Sequence, residues 1–123
     1  MGTFRVEATF RHRDDRQITR TIQLLVDTGA TWTTLPEDVV RSLGYSAVAD
    51  RRVRLADGRV EAWPMTVATV SLGEQELPTV CLIGPPGGPA LLGAVTLEEF
   101  ALSVDPVARR LVSVEGYLNA AAR

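Results

Sequence analysis

Hydrophobic side chains alternate with polar ones along much of the chain, which is the period-two pattern of a β-strand with one buried face. The pattern begins in residues 3–10 and returns in residues 17–26, and the charged stretch between them predicts a hairpin turn. Towards its end the second strand becomes apolar on both faces, at Leu24, Leu25 and Val26. Because a strand that is apolar on both faces lies inside a core, we expect the loop after it to be held in the protein interior.

A short helix and a second hairpin follow this loop. The helix is predicted to begin at Pro36, because proline suits the first helical position, and to end at Gly44. Asp57-Gly58 is typical of a tight turn between two strands. On the returning strand the apolar phase shifts between Val67 and Val70, which predicts a bulge or a bend.

The last third of the chain alternates between strands, loops and one more helix. Residues 77–83 predict a strand, and the glycine- and proline-rich residues 84–89 predict a loop. This loop lacks the Gly-Lys-Ser/Thr ending of a phosphate-binding loop, and its prolines remove backbone donors. The Thr96-x-x-Glu99 spacing is that of a capping box, which predicts a second short helix that opens there and runs through Phe100.

The pattern as a whole predicts an all-β fold, closed and barrel-like, with one or two short helices. Residues 1–123 are expected to form a single domain, because this length is close to the commonest domain size. An apolar share of 46% and a charged share of 23% are ordinary for a globular protein. Residues 119–123 are expected to fray at the end of the chain.

Charge and residue usage exclude several classes of function. Thirteen basic and fifteen acidic residues give a net charge of -2, so no strong field would attract nucleic acid or an anionic membrane. Every basic residue is arginine, and the absence of lysine excludes Schiff-base catalysis. No run approaches the roughly 20 apolar residues that span a bilayer, and no secretory signal is visible. We therefore expect a cytoplasmic protein that binds neither nucleic acid nor membrane.

The less common side chains mostly have structural interpretations. Cys81 lies in an apolar run and is expected to be a buried, inert thiol. His12 is expected in a turn, because one imidazole with two adjacent carboxylates has poor metal-ligand spacing. Trp32 and Trp63 could line a substrate pocket, but packing is the more common role of large aromatics in a β-core. We expect neither a metal nor a cofactor.

One tetrapeptide carries the best candidate chemistry: Asp27, Thr28, Gly29 and Ala30 directly follow the apolar strand. Burying a carboxylate there costs free energy unless it has hydrogen-bond donors or a function that compensates. Gly29 allows the backbone to approach the carboxylate, so that amide groups point at it. The alternative is an ordinary Asx-type turn in which Asp27 only ties its own loop.

The order of motifs along the chain resembles the retropepsin-like aspartic proteases, in particular their small single-domain bacterial and archaeal members. The resemblance covers nearly the whole chain and rests on Asp27-Thr28-Gly29-Ala30, the Asp57-Gly58 hairpin, Leu91-Leu92-Gly93, Val95–Phe100, Val104-Asp105-Pro106, Leu111-Val112 and Gly116-Tyr117-Leu118. It implies the closed, barrel-like acid-protease fold and hydrolysis of peptide bonds in a peptide or unfolded polypeptide.

The resemblance also implies roles for individual residues of this chain. Asp27 would be the catalytic aspartate, and Thr28 would brace two active-site loops against each other. Gly29 would lie along the substrate, in a loop that continues to Ala30. The flap that closes over a bound peptide would comprise Ala56, Asp57, Gly58 and Arg59. An apolar-glycine element packing beneath the active-site loop would comprise Leu91, Leu92 and Gly93.

The chain departs from the viral pattern at two positions. Retroviral enzymes usually have an acid directly after the alanine and an arginine directly after the second glycine, and the two pair. Here the residues are Thr31 and Ala94. Because both charged partners are absent together, no unpaired charge is left, but the dimer contacts and substrate preference of the viral enzymes do not carry over.

Aspartic proteolysis needs two carboxylates that share one proton, one to activate water and one to polarise the scissile carbonyl. The sequence contains a single Asp-Thr-Gly, so a two-fold axis between Asp27 and its copy would have to supply the second carboxylate. We therefore expect a homodimeric aspartic endopeptidase. Two alternatives remain: a catalytically silent binding or dimerisation module on the same fold, and a monomeric β-barrel that binds a small ligand.

Overall fold

Nine strands and two short helices make up residues 3–118, the part of the chain that the computed structural model describes. In chain order they are β1 (Arg5–Arg11), β2 (Thr19–Val26), β3 (Thr33–Pro36), α1 (Glu37–Ser42), β4 (Ala49–Arg54), β5 (Val60–Leu72), β6 (Gln75–Gly84), β7 (Leu91–Leu92), α2 (Ala94–Glu99), β8 (Leu102–Asp105) and β9 (Arg110–Ser113). Neither helix is long and apolar enough to cross a membrane. The expected fraying of residues 119–123 lies outside the described residues.

The strand pairing of the main sheet returns to its first strand. The order is β1-β2-β7-β3-β6-β5-β4, and β1 also pairs with β5, so six strands form a ring and β4 extends from it. Two of the pairings, β2 with β7 and β3 with β6, are parallel. Strands β8 and β9 form a separate two-stranded sheet. The prediction of an all-β fold is confirmed, and the ring of pairings agrees with a closed, barrel-like arrangement.

The core is filled by alternate side chains of these strands together with one face of each helix. The largest fully buried apolar side chains are Phe10, Leu24, Leu35, Leu43, Val70, Leu92 and Phe100. Burial of each such side chain contributes about 1.5–3 kcal/mol relative to exposure. The apolar run at the end of β2 therefore enters the core as predicted, and it delivers the next residue, Asp27, to the edge of that core.

The predicted bulge in β5 is wrong. The strand pairs with β6 in one unbroken register from Met65 opposite Leu82 to Leu72 opposite Gln75. From Thr66 to Leu72 every second position is buried, and Met65 is buried as well, but the polar side chain of Thr66 hides the pattern in the sequence. Val67 lies on the other face and is 45% exposed, so its apolar character is not a sign of burial.

The predicted capping box is also wrong. Helix α2 starts directly after Gly93, and no side chain caps it. Thr96 and Glu99 therefore lie inside the helix, where the Thr96 hydroxyl bonds to the hydroxyls of Thr33 and Thr79. A capping box requires the threonine in an extended conformation ahead of the helix, and the earlier start of α2 removes that geometry.

A tyrosine after α1 joins three parts of the fold. The Tyr45 hydroxyl donates to the backbone oxygen of Arg11 at 2.8 Å and accepts from the backbone N–H of Thr69 at 3.1 Å. We expect Tyr45→Phe to lower the free energy of unfolding by about 1–3 kcal/mol, because both backbone groups lose their partner. Urea denaturation measures the change, with Tyr117→Phe as the control, since Tyr117 is 98% exposed. Equal stability of the two variants would contradict the role given to this hydroxyl.

Candidate active site

Asp27 follows the last residue of β2 and lies, half-buried, in a cleft of about 480 Å³. Its backbone N–H donates to the backbone oxygen of Leu92 at 3.0 Å. One carboxylate oxygen, Oδ1, accepts from the N–H of Gly29 at 3.0 Å, which is the Asx-type bond considered from the sequence. Within the described residues the other oxygen, Oδ2, makes no hydrogen bond. Thr28 and Gly29 are exposed beside it, so the expectation that this loop lies in the protein interior is wrong, and the loop presents the carboxylate outwards.

Backbone hydrogen bonds tie this loop to the start of α2. The N–H of Ala94 donates to the oxygen of Ala30 at 2.8 Å, and the N–H of Val95 donates to the oxygen of Thr31 at 2.9 Å. These are the positions around which the viral pattern would have its acid and arginine. In this chain the main chain makes the connection, so no ion pair is needed between the two loops.

Gly93 sits where two backbones approach each other closely. A Cβ atom at this position would lie 2.4 Å from the carbonyl carbon and 2.6 Å from the carbonyl oxygen of Trp32. The N–H of Gly93 donates to Oγ1 of Thr33 at 3.1 Å. Leu92 pairs with Val26, and its side chain is fully buried. The structure therefore brings the Leu91-Leu92-Gly93 element against the loop that bears Asp27.

The walls of the cleft are mainly apolar. Its lining side chains include Trp32, Thr34, Val53, Leu55, Trp63, Leu82, Pro85, Pro89 and Leu91. The two tryptophans are half-buried and absent from the buried core, so the interpretation of both as core packing is wrong. Their positions in the sequence already indicated a place near the site, because Trp32 follows the aspartate loop and Trp63 lies on the returning strand of the Asp57-Gly58 hairpin. Asp27 and Arg54 are the charged residues that line the cleft.

The β4–β5 hairpin forms one side of the cleft. Ala56 lines it, whereas Asp57, Gly58 and Arg59 form the exposed tip beyond it. Gly58 has a φ of 90°, which explains the glycine in this turn. The backbone N–H of Arg59 and then its guanidinium donate to the Asp57 carboxylate and lower the pKa of Asp57. The tip therefore keeps its ion pair in mildly acidic solution.

A row of polar side chains continues from the tip towards the cleft. Arg59 bonds to Asp57 at 2.7 Å and to Glu61 at 3.1 Å, and the indole N–H of Trp63 donates to Glu61 at 2.9 Å. Glu61 and Trp63 are alternate residues of β5 and therefore share a face. Arg59, directly before the strand, connects them to Asp57 at the tip. Sequence reasoning missed this row, although the spacing of two between its members was visible.

A second, larger cleft of about 650 Å³ shares Trp63, Gly84 and Pro85 with the first. Its two carboxylates, Glu37 and Glu61, are each paired with an arginine, Arg41 and Arg59 respectively. Both carboxylates are therefore already engaged by a guanidinium, whereas among the described residues the Asp27 carboxylate bonds to the backbone N–H of Gly29. Asp27, in the smaller cleft, is therefore the acid–base candidate.

The remaining reactive side chains have structural environments. Burial, with a smaller contribution from the negative charge of Glu99, raises the pKa of Cys81 to about 12, so it is a neutral thiol. The His12 ring accepts from the backbone N–H groups of Asp14 and Asp15 at 3.1 Å each, which confirms its place in a turn. Among residues 3–118, no three His, Cys, Asp or Glu side chains are grouped so that they could hold a metal ion.

The ring of strands and the supported Asp-Thr-Gly loop define a retropepsin-like aspartyl protease fold. A crystal structure of a retropepsin-like aspartic protease from Rickettsia conorii is similar to this chain, with a TM-score of 0.57 and 22% sequence identity. The similarity covers 85% of this chain and 77% of that one. The family described as "gag-polyprotein putative aspartyl protease" matches residues 18–99, and the chain belongs to this family. No curated protein matches the sequence.

Proposed function

We propose that the protein is a homodimeric aspartic endopeptidase whose active site forms between Asp27 and the partner's Asp27. The observation that carries this proposal is the placement of Asp27. It lies at an apolar cleft, on an exposed loop, with one carboxylate oxygen bonded to Gly29 and its backbone anchored to Leu92. A single aspartate so placed lacks the second carboxylate that the chemistry requires, and a two-fold axis beside the loop supplies it.

In this proposal the two carboxylates hold one proton between them. The ionised carboxylate takes a proton from water, which attacks the scissile carbonyl, while the protonated one donates to the carbonyl oxygen. Two carboxylates close enough to share a proton repel each other when both are ionised, and this repulsion keeps the pair singly protonated. The reaction forms no covalent intermediate with the protein. Thr28, which is exposed next to Asp27, would bond across to the other subunit's loop.

The β4–β5 hairpin acts as the flap in this proposal. Ala56 faces the cleft, and the tip residues Asp57, Gly58 and Arg59 would close over a bound peptide. The row of side chains from the tip to Trp63 would stiffen the hairpin, so that the flap and the tryptophan move together. The apolar walls suit apolar side chains on either side of the cleaved bond.

The proposal predicts how activity depends on pH and on protein concentration. Cleavage of a diverse peptide library should follow a bell-shaped profile biased to the acid side, because activity needs one shared proton and is lost when the pair holds none or two. Specific activity should also fall on dilution, because dimers dissociate. Mass spectrometry of the products measures cleavage at each pH and each protein concentration, and sedimentation measures the fraction of dimer at the same concentrations. A flat profile from about pH 4 to 8 would contradict the shared proton, and a dimer without cleavage would favour the silent binding module.

A further inference from the structure

Three buried threonines and one glutamate form a continuous chain of hydrogen bonds beneath the Asp27 loop. Thr33, Thr79 and Thr96 are 0%, 1% and 1% exposed, so no solvent reaches their hydroxyls. Thr96 lies between the other two, with an oxygen–oxygen distance of 2.6 Å to each. Thr79 bonds at 2.7 Å to Glu99, whose side chain reaches the surface. The chain joins three elements that are distant in sequence: β3, β6 and α2.

Every hydrogen bond in this chain runs in one direction, because a hydroxyl has a single hydrogen to donate. Thr79 donates to Oε1 of Glu99, so its oxygen must accept from Thr96. Thr96 has then used its hydrogen and accepts from Thr33.

At its other end the hydrogen-bond chain reaches the backbone of Gly93, in the element that packs against the Asp27 loop. Thr33 accepts from the N–H of Gly93 at 3.1 Å. The preceding residue, Leu92, provides the carbonyl that accepts from the N–H of Asp27 at 3.0 Å. The hydrogen-bond chain therefore begins at the glycine next to this carbonyl and ends at a surface carboxylate. Consecutive bonds aligned in this way strengthen one another.

The Thr96 hydroxyl is required for the hydrogen bonds on both of its sides, to Thr33 and to Thr79. Without it, the Thr33 hydroxyl loses its acceptor and the Thr79 hydroxyl loses its donor, each in a buried place where an unpaired group is costly. Thr33 could then regain a partner only by turning its hydroxyl, and this would change its bond to Gly93. The effect would reach the peptide group that holds Asp27, without any contact between Thr96 and the cleft.

We propose that Thr96 is a positioning residue, and that the chain from Glu99 through Thr79, Thr96 and Thr33 fixes Gly93 and thereby the Asp27 loop. The consequence for catalysis rests on the proposed peptidase function. The fixing of Gly93 does not. A defined position matters because displacing a catalytic group by about 1 Å can cost a hundredfold in rate.

The test compares Thr96→Val with Thr96→Ser. Valine keeps the volume and removes the hydroxyl, whereas serine keeps the hydroxyl and removes the methyl group. We expect the amide hydrogen of Gly93 to exchange about tenfold faster in the valine variant and to stay protected in the serine variant, as measured by NMR. The amide of Phe10, a fully buried residue of β1, reports any change in global stability. Thr66→Val is a control for loss of a buried threonine hydroxyl outside the chain.

Glu99 offers a second pair of variants in which the substituted side chain lies outside the buried core. Glu99→Gln keeps an oxygen that accepts from Thr79, and Glu99→Leu removes it. We expect faster Gly93 exchange in the leucine variant only. Since Glu99 lies at the surface, both variants should fold.

Peptide cleavage then tests the catalytic consequence. We expect Thr96→Val to lower kcat about tenfold with little change in KM, and Thr96→Ser to restore kcat, because positioning affects the reacting groups more than substrate binding. Unchanged Gly93 exchange in both Thr96→Val and Glu99→Leu would overturn the inference. Changed exchange in a protein that cleaves no peptide would instead overturn the proposed function and leave the positioning of Gly93 standing.

Discussion

Asp27→Asn is expected to reduce kcat by at least about a thousandfold while leaving the fold intact. Asparagine has the same shape and keeps the oxygen that accepts from the N–H of Gly29, so the loop geometry should be preserved. It cannot carry the shared proton or act as the ionised base. Peptide cleavage measures the loss, and urea denaturation checks that the free energy of unfolding is unchanged. Substantial cleavage by a folded variant would refute the role of Asp27.

Mixtures of the two proteins test the shared site directly. If wild-type and Asp27→Asn chains are refolded together in equal amounts, mixed dimers have one aspartate and should be inactive. About one quarter of the activity should then remain relative to the same total amount of wild-type protein, because only wild-type pairs work. A site contained within each subunit would leave half. The two values are far enough apart for a simple rate measurement to decide.

Gly93→Ala is expected to lower the free energy of unfolding by about 3 kcal/mol or more and to abolish cleavage by any protein that still folds. The added Cβ would lie 2.4 Å from the carbonyl carbon of Trp32 and 2.8 Å from the backbone nitrogen of Thr33. Both are backbone atoms in the segment that supports the cleft, so relief requires a shift of β3 or of the start of α2.

The control for this substitution is Gly116→Ala. Nothing lies within 4 Å of a Cβ atom at Gly116, so stability and activity should be unchanged there. Thermal unfolding, urea denaturation and peptide cleavage compare the two variants. If Gly93→Ala were as stable and as active as Gly116→Ala, the close packing of the Leu91-Leu92-Gly93 element could not be what holds the loop.

Sequence reasoning succeeded for most short-range features, although the capping box at Thr96 was wrong, and it failed where neighbours in space decide. The order of strands and hairpins was predictable from alternation and turn residues, and the Asp27 loop from its motif. The bulge near Val67 failed because Thr66 is a polar residue in a buried position. The tryptophans of the cleft were assigned to packing because their size is equally suited to a core and to a pocket wall.

The sequence by itself determined most of the strands, the turns and the position of the candidate catalytic loop, because period-two alternation, glycine turns and a lone Asp-Thr-Gly are local properties. Only the tertiary structure decided which of these elements meet. The pairing that inserts β7 between β2 and β3 places Leu92 under Asp27, although the two residues are 65 positions apart in the sequence. The same pairings place the hydroxyls of Thr33, Thr79 and Thr96 within hydrogen-bonding distance. Such contacts follow from burial and strand pairing across the whole chain, which no local pattern encodes.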